Sequence, residues 1–215
     1  GIEALEQRRR ASPLASVLPG LRSNLASVAD EAQHIMVVTD ADGVVLWRDG
    51  CTGVRHRADA LGFAEGAAWT ETAKGTNAIG TALVERAPVQ LFSAEHYQRS
   101  LHPWTCAAAP VHDPRTGALV GIVDISGPAA TVHPAAVALV GMAVRLAEVD
   151  LWRQRIGYVG QDTFLFNASV GDNIAYGRLG ASDEEVVAAA HAAHAHEFIT
   201  ELPDGYATVV GDRGA

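Results

Sequence analysis

The chain has 215 residues, 48% of them apolar, which is enough for one large or two small domains with their own cores. Its formal net charge of −9 argues against a chain that binds nucleic acid directly. No apolar run approaches the roughly 18–20 residues that span a bilayer, the N-terminus lacks an apolar signal core, and the two cysteines form no disulfide framework. We therefore expect a cytoplasmic protein that does not insert into a membrane.

The charge is divided unevenly along the chain. Residues 1–155 include 14 basic and 16 acidic residues, whereas residues 156–215 include 2 and 9. Because such an asymmetry suggests segments of different origin, we predict two domains, 1–153 and 156–215.

The first predicted domain begins with two helices, over 3–10 and 14–29, the second kinked or split by Pro19-Gly20. It ends with a helix over 134–153, whose predicted apolar stripe consists of Val137, Val140, Val144 and Leu151, with Leu146 beside them. Five stretches rich in β-branched and other apolar residues are predicted as strands: 35–39, 44–47, 88–92, 104–111 and 118–126. Because consecutive hairpins make an antiparallel sheet whose faces the helices cover, the predicted fold class is α+β.

The stretch WTETAKGTNAIG, residues 69–80, joins a polar entry to a helix of small residues. Gly75 permits a backbone conformation that other residues resist, and Thr76 and Asn77 are both suitable N-caps for the helix that follows. Gly80 and Thr81 give this helix a side with small side chains. Such a side allows close packing against a strand of the sheet or close approach of a small molecule, and the spacing alone leaves both alternatives open.

Three segments carry a family resemblance: GTNAIGTAL (75–83), PVQLFSAEHY (88–97) and HPWTCAAAPVHDPRTGALVGIVDISG (102–127). With the closing helix, they make residues from about 12 to 152 similar to a GAF domain, the sensor domain at the front of acetoin-regulator-type transcription activators. The resemblance implies a GAF-like antiparallel sheet with helices on one side and a ligand cavity on the other. It also implies a non-catalytic function, in which an unknown small molecule binds and the terminal helices signal to an output module. Such helices also allow a homodimer, whereas DNA binding belongs to an output domain outside this chain.

On this resemblance, the central stretch and the third and fourth strands form the cavity wall. The candidate ligand-binding residues are Trp69, Thr76, Asn77, His96, Trp104 and Cys106. Tryptophan and histidine offer flat apolar contact with one polar atom each, and the other polar side chains orient a ligand. Each residue also has a plain structural interpretation, with both tryptophans in the core, Asn77 as a cap and Cys106 as an inert buried thiol.

Two further observations leave alternatives open in the first domain. Asp124 lies inside an apolar strand, and the sequence favours a ligand contact and a structural, hydrogen-bonded acid equally. Haem binding occurs among similar domains, and His96 or His102 would supply an axial ligand, but no local motif supports it. The cofactor is therefore unknown. We find no nucleophile with a base and no paired acids at informative spacing, so we predict no catalytic residues and no enzyme activity.

From Ile156 the sequence changes character. IGYVGQDTFLFNASVGDNIAYG and the 38 residues after it resemble the Q-loop and helical subdomain of an ABC-exporter ATPase, ending just before its signature motif. The resemblance implies a small, mainly helical segment in which Gln161 is the nucleotide-related Q-loop glutamine. The chain has no G-x-x-x-x-G-K-[ST] loop, and its only lysine is Lys74, so we predict that this segment does not hydrolyse ATP.

A histidine-rich helix in the second segment invites a metal-site interpretation, since His191, His194 and His196 lie close in sequence to Glu197. The exporter pattern has this helix without a metal, so we predict no metal site. Ser182 is predicted to cap the helix from its N-terminal end. Three functions remain in competition: a small-molecule sensor, an inactive ATP-binding fragment related to ABC transporters, and a dimerisation module with no ligand.

Overall fold

A computed structural model describes residues 1–31, 33–157 and 164–211. The chain forms two compact units, Gly1–Ile156 and Gly157–Ala215. Within the described ranges, no helix combines the length and the apolar character needed to cross a membrane.

The first unit contains helices and strands in mixed order. Its helices are α1 (Ile2–Ala11), α2 (Leu18–Glu31), α3 (Thr52–Ala60), α4 (Glu71–Lys74), α5 (Ala78–Glu85) and α6 (Ala136–Arg153). Its strands are β1 (Ile35–Asp40), β2 (Val45–Gly50), β3 (Val89–Phe92), β4 (Trp104–His112) and β5 (Leu119–Pro128). All five predicted strands are present, with bounds that differ by a few residues.

The strands form one sheet in the order β2-β1-β5-β4-β3, and each neighbouring pair is antiparallel. β5 is therefore the middle strand. Asp124 on β5 lies opposite Val37 on β1 and Ala108 on β4. The sheet with its flanking helices is a GAF-like α+β fold, which confirms the predicted fold class.

The two faces of the sheet belong to two separate cores, because side chains alternate along each strand. On β5, Val123 and Ile125 pack with residues of α2 and α6. Ile122, two residues from Asp124 on the same strand, packs with residues of α3 and α5. The second face therefore carries Asp124 and Ser126 towards α5.

Two details of the predicted helices are corrected. The break at the start of the second helix comes before Pro19, after a 3-10 turn over Pro13–Ala15, and Pro19 lies in the first turn of α2. Proline is tolerated there because the first backbone N–H groups of a helix lack partners within the helix. On α6, Val140 and Val144 are buried, but Leu146 lies on the exposed side of the helix.

The second unit contains small elements. They are the helices α7 (Val170–Ala175), α8 (Asp183–Ala192) and α9 (His196–Thr200), and the strands β6 (Ala168–Ser169) and β7 (Val209–Val210). The two strands pair antiparallel. Ser182 caps α8, as predicted, and a reciprocal bond from Ser182 N–H to the Glu185 carboxylate completes a capping box.

Candidate functional site

The turn between α4 and α5 is held by a single asparagine. Gly75 has a φ of +69°, and the Asn77 side chain donates to the Gly75 carbonyl at 2.8 Å. The same side chain accepts from the Gly80 N–H at 2.9 Å, so that Asn77 is the N-cap of α5. The amide oxygen and nitrogen of Asn77 are thus both engaged in holding the turn.

The side of α5 that carries Gly80 and Thr81 faces α4. A Cβ atom on Gly80 would lie 2.7 Å from the backbone nitrogen of Glu71, closer than real Cβ contacts. Thr81, one residue further, donates from its hydroxyl to the Glu71 carboxylate at 2.7 Å. The expected packing of this side against a strand is therefore corrected, because Gly80 packs closely against α4.

A buried cavity lies between α5 and the second face of the sheet. Its volume is about 10 Å³, the space of about one water molecule. Of the six candidate residues, five line this cavity: Trp69, Asn77, His96, Trp104 and Cys106. The sixth, Thr76, is exposed and lies outside it. Its carbonyl accepts from the Tyr97 N–H at 3.0 Å, so its contribution to the fold comes from the backbone.

Trp69 forms an aromatic wall of the cavity with Phe63. The two rings are tilted, with centroids 4.2 Å apart, and Trp69 is 2% exposed. Lys74 Nζ lies 5.2 Å from the centre of the Trp69 ring, within the range of a cation–π contact. The indole nitrogen Nε1, however, has no hydrogen-bond partner among the described residues.

His96 presents one ring nitrogen to the backbone. Its Nδ1 lies 3.0 Å from the Ser93 carbonyl, so the tautomer that satisfies this contact carries the proton on Nδ1. Burial lowers the pKa of His96, which favours the neutral ring. In that form Nε2 is an acceptor, and it too lacks a partner in the described parts of the chain.

Asp124, which the sequence left undecided between a ligand contact and a structural acid, is buried and lines the cavity. Ser126 donates to Asp124 Oδ2 at 2.6 Å, while Oδ1 is buried without a partner among the residues described. Burial raises the pKa of Asp124 to about 7, against the opposing effect of the Ser126 hydrogen bond. In the sequence, Asp124 and Ser126 are two residues apart on an otherwise apolar strand, a spacing that places both side chains on the same face of the sheet.

Cys106 lies across from Ser126 in the β4–β5 ladder and is buried. Burial raises its pKa well above the usual thiol value, and the nearby Asp124 raises it further. Such a thiol is a weak nucleophile, in agreement with the plain structural interpretation of this residue.

The remaining candidates lie elsewhere. His102 is half-buried and does not line the cavity. Gln161 lies outside the described residues. His191 stacks on His196 with centroids 3.8 Å apart, and His196 Nδ1 lies 2.9 Å from the Tyr206 hydroxyl. Within the described ranges, no group of three or more His, Cys, Asp or Glu side chains is placed to hold a metal ion.

The sheet and its flanking helices define a GAF-like domain, with a small buried cavity beneath α5. Residues 9–148 match the family described as MimR, N-terminal domain, and the chain belongs to this family. It is 43% identical over 134 residues to the acetoin dehydrogenase operon transcriptional activator AcoR of Bacillus subtilis, covering 62% of this chain and 21% of AcoR. The crystal structure of the E. coli DhaR(N)–DhaL complex shares the fold, with a TM-score of 0.63 and 22% identity, covering 71% of this chain and 52% of that one.

The last part of the chain is similar to a different group of proteins. An uncharacterised ABC transporter ATP-binding protein of Sinorhizobium fredii, y4gM, is 58% identical over 62 residues, which are 29% of this chain and 11% of that protein. The chain thus spans about a third or less of the length of the curated relatives it matches.

Proposed function

We propose that residues 1–153 form the non-catalytic sensor domain of a cytoplasmic transcription regulator, and that a small molecule binds in the cavity beneath α5. Residues 156–215 are then a separate segment, related to an ABC-exporter ATPase domain. The terminal helices of the sensor domain pass the effect of the ligand to an output module. Similarity to AcoR, itself a transcriptional activator, supports the regulatory part of this proposal.

The observation that carries the proposal is the convergence of aromatic and polar side chains on one enclosed cavity. Trp69 and Trp104 supply apolar surface, and His96 and Asp124 supply polar atoms. A mostly apolar cavity with a few buried polar groups is the usual design of a small-molecule site.

Native mass spectrometry of the purified chain tests the proposal. We expect a co-purifying small mass that is lost on denaturation, and no saturable adduct when magnesium and ATP are added. As a control, Trp104→Ala removes a cavity wall and should lose the small mass, whereas Trp152→Ala, on the exposed side of α6, should retain it. A bare chain in every preparation, with no ligand found by screening, would contradict the sensor function.

The second segment is proposed to be inactive as an ATPase. Its described part includes three short helices, a 3-10 turn over Gly205–Ala207 and a two-stranded ladder, and the sequence contains no phosphate-binding loop. Phosphoryl transfer requires such a loop with its lysine and a metal-holding acid. Saturable ATP binding at micromolar concentration in the same mass spectrometry experiment would overturn this part of the proposal.

A second candidate function is self-association through α6. Four apolar residues on the exposed side of this helix follow a 3-4-3 spacing: Leu139, Met142, Leu146 and Val149. This is the spacing of a coiled-coil seam. We expect sedimentation velocity to show concentration-dependent association that Met142→Glu abolishes, while Glu85→Gln, at the exposed end of α5, leaves it unchanged. A monomer at all concentrations would exclude this candidate.

A further inference from the structure

Three buried polar atoms around the cavity lack a hydrogen-bond partner among the described residues. They are Trp69 Nε1, His96 Nε2 and Asp124 Oδ1, and their residues are 2%, 2% and 1% exposed. All three residues line the same cavity. A buried polar group without a partner is costly and uncommon, so three around one small space point to a molecule that supplies the missing bonds.

The three atoms require different hydrogen-bond partners. Trp69 Nε1 can only donate, so its partner must accept. His96 Nε2 accepts when Nδ1 donates to the Ser93 carbonyl, so its partner must donate. Asp124 Oδ1 accepts when the acid is ionised and can donate when the acid is protonated, and burial raises the pKa of this acid to about 7. A single hydroxyl group donates one hydrogen bond and accepts others, and it therefore satisfies both kinds of atom.

The charges around the cavity argue against an anion. The ionisable side chains that line it are His96, Cys106 and Asp124, with no lysine or arginine beside them. Lys74, the nearest cation to Trp69 in the described contacts, lies over the face of the ring and does not line the cavity. A carboxylate or phosphate in this space would meet an acid and no compensating positive charge, which is unfavourable away from water.

We infer that the cavity binds a small uncharged molecule carrying at least one hydroxyl group, with Trp69, His96 and Asp124 as its hydrogen-bonding contacts. This inference rests on the proposed function, because it assigns a ligand class to the same cavity. The cavity of about 10 Å³ has the space of about one water molecule, so a ligand of a few non-hydrogen atoms binds only if the lining side chains move apart.

The inference is tested with two molecules of nearly equal size, propane-1,2-diol and lactate, which differ by a carboxylate in place of a hydroxymethyl group. Binding to the full chain is followed by titration with NMR detection of the indole N–H signals. We expect the diol to bind in about the millimolar range, as its few atoms allow, and to shift the Trp69 signal. Lactate should bind at least about tenfold more weakly.

Two variants and one matched control assign the contacts. Trp69→Phe removes the N–H and keeps an aromatic ring, and Asp124→Val replaces the acid by an apolar side chain of similar size. Each should weaken diol binding about tenfold, the effect of one buried hydrogen bond. Trp47→Phe, which packs against the opposite core, should leave diol binding unchanged. Circular dichroism of each variant checks that the fold is retained.

The possible outcomes distinguish a failure of this inference from a failure of the proposed sensor function. Equal or tighter binding of lactate, or diol binding that is indifferent to both variants, overturns the inference while the cavity remains a ligand site. Absence of diol binding also overturns it, because a single bound water then accounts for the three polar atoms. The sensor function itself fails only if native mass spectrometry and ligand screening both find nothing bound.

Discussion

Ser126 donates a hydrogen bond of 2.6 Å to only one of the two carboxylate oxygens of Asp124, and both side chains are 1% exposed. The serine satisfies Oδ2 and leaves Oδ1 without a partner in the described structure. Because one hydrogen bond does not offset the burial of a whole carboxylate, the protonated acid is favoured, and the pKa of Asp124 rises to about 7. This arrangement stabilises the domain less than a fully bonded acid would.

The stability of the sensor domain should therefore fall as the pH rises. The pKa of Asp124 is raised from 3.8 to about 7 on folding, so between these values the folded state binds more protons than the unfolded state. Its contribution is fully present below about pH 4 and is lost as the pH rises through 7, by about 4 kcal/mol in total. Urea unfolding at pH 5 and pH 8 measures the difference. Asp124→Asn should reduce the slope, and an unchanged slope in that variant would contradict the assignment.

The two cysteines should differ sharply towards thiol reagents. Cys51 is exposed, whereas Cys106 is buried and its pKa is raised by burial and by Asp124. Because the thiolate is the reactive form, Ellman's reagent should modify one thiol rapidly in the folded chain and the second only on unfolding. Cys51→Ser is the matched control and should abolish the rapid phase. Rapid modification of Cys106 in that variant would show that the cavity opens readily to solvent.

Removing the N-cap of α5 should destabilise the domain. Asn77→Ala deletes both side-chain hydrogen bonds that hold the turn, and loss of an N-cap costs about 1–2 kcal/mol. Thr76→Ala changes the exposed neighbour and should alter the free energy of unfolding by less than about 0.5 kcal/mol. Chemical denaturation of both variants gives the comparison. Equal effects would mean that the cap does not depend on the asparagine side chain.

Alanine at two helical glycines should have opposite effects. At Gly80 the new Cβ would lie 2.7 Å from the Glu71 backbone nitrogen, so that α4 and α5 must separate, at a cost of about 1–3 kcal/mol. At Gly141 in α6 the nearest atom, Pro88 Cγ, is 4.0 Å away. Gly141→Ala should therefore stabilise the domain by up to about 1 kcal/mol through its helix propensity. Thermal unfolding of both variants tests the contrast, and a neutral Gly80→Ala would argue against close packing of the two helices.

The sequence predicted the strands of the first unit because their composition and alternation arise from burial on a sheet. It also predicted the N-cap of α8, since a capping box is a local pattern that needs no tertiary information. The start of α5 was narrowed to Thr76 or Asn77, both of which can cap a helix. The choice between them depends on tertiary structure, because Asn77 is buried and Thr76 is exposed.

The candidate site was harder to predict for a related reason. Five of its residues were selected through a family resemblance, which carries information about tertiary structure that spacing alone lacks. The role of Asp124 remained undecided. A buried acid is structural when the protein satisfies both of its oxygens and can contact a ligand when one oxygen is left over, and only the fold determines which hydrogen-bond partners are present. Ser126, two residues away, satisfies one oxygen only, and no pattern in the sequence states that the other is left over.

Successive side chains of β5 point into two different cores, and this has a mechanical consequence. Asp124 faces the cavity, while Val123 and Ile125 on either side of it belong to the core that supports α6. Because peptide units are rigid planes, the backbone at Asp124 cannot be displaced without moving both neighbours. The middle strand is thus shared by both cores, so a displacement of Asp124 would also move side chains that pack in the same core as α6.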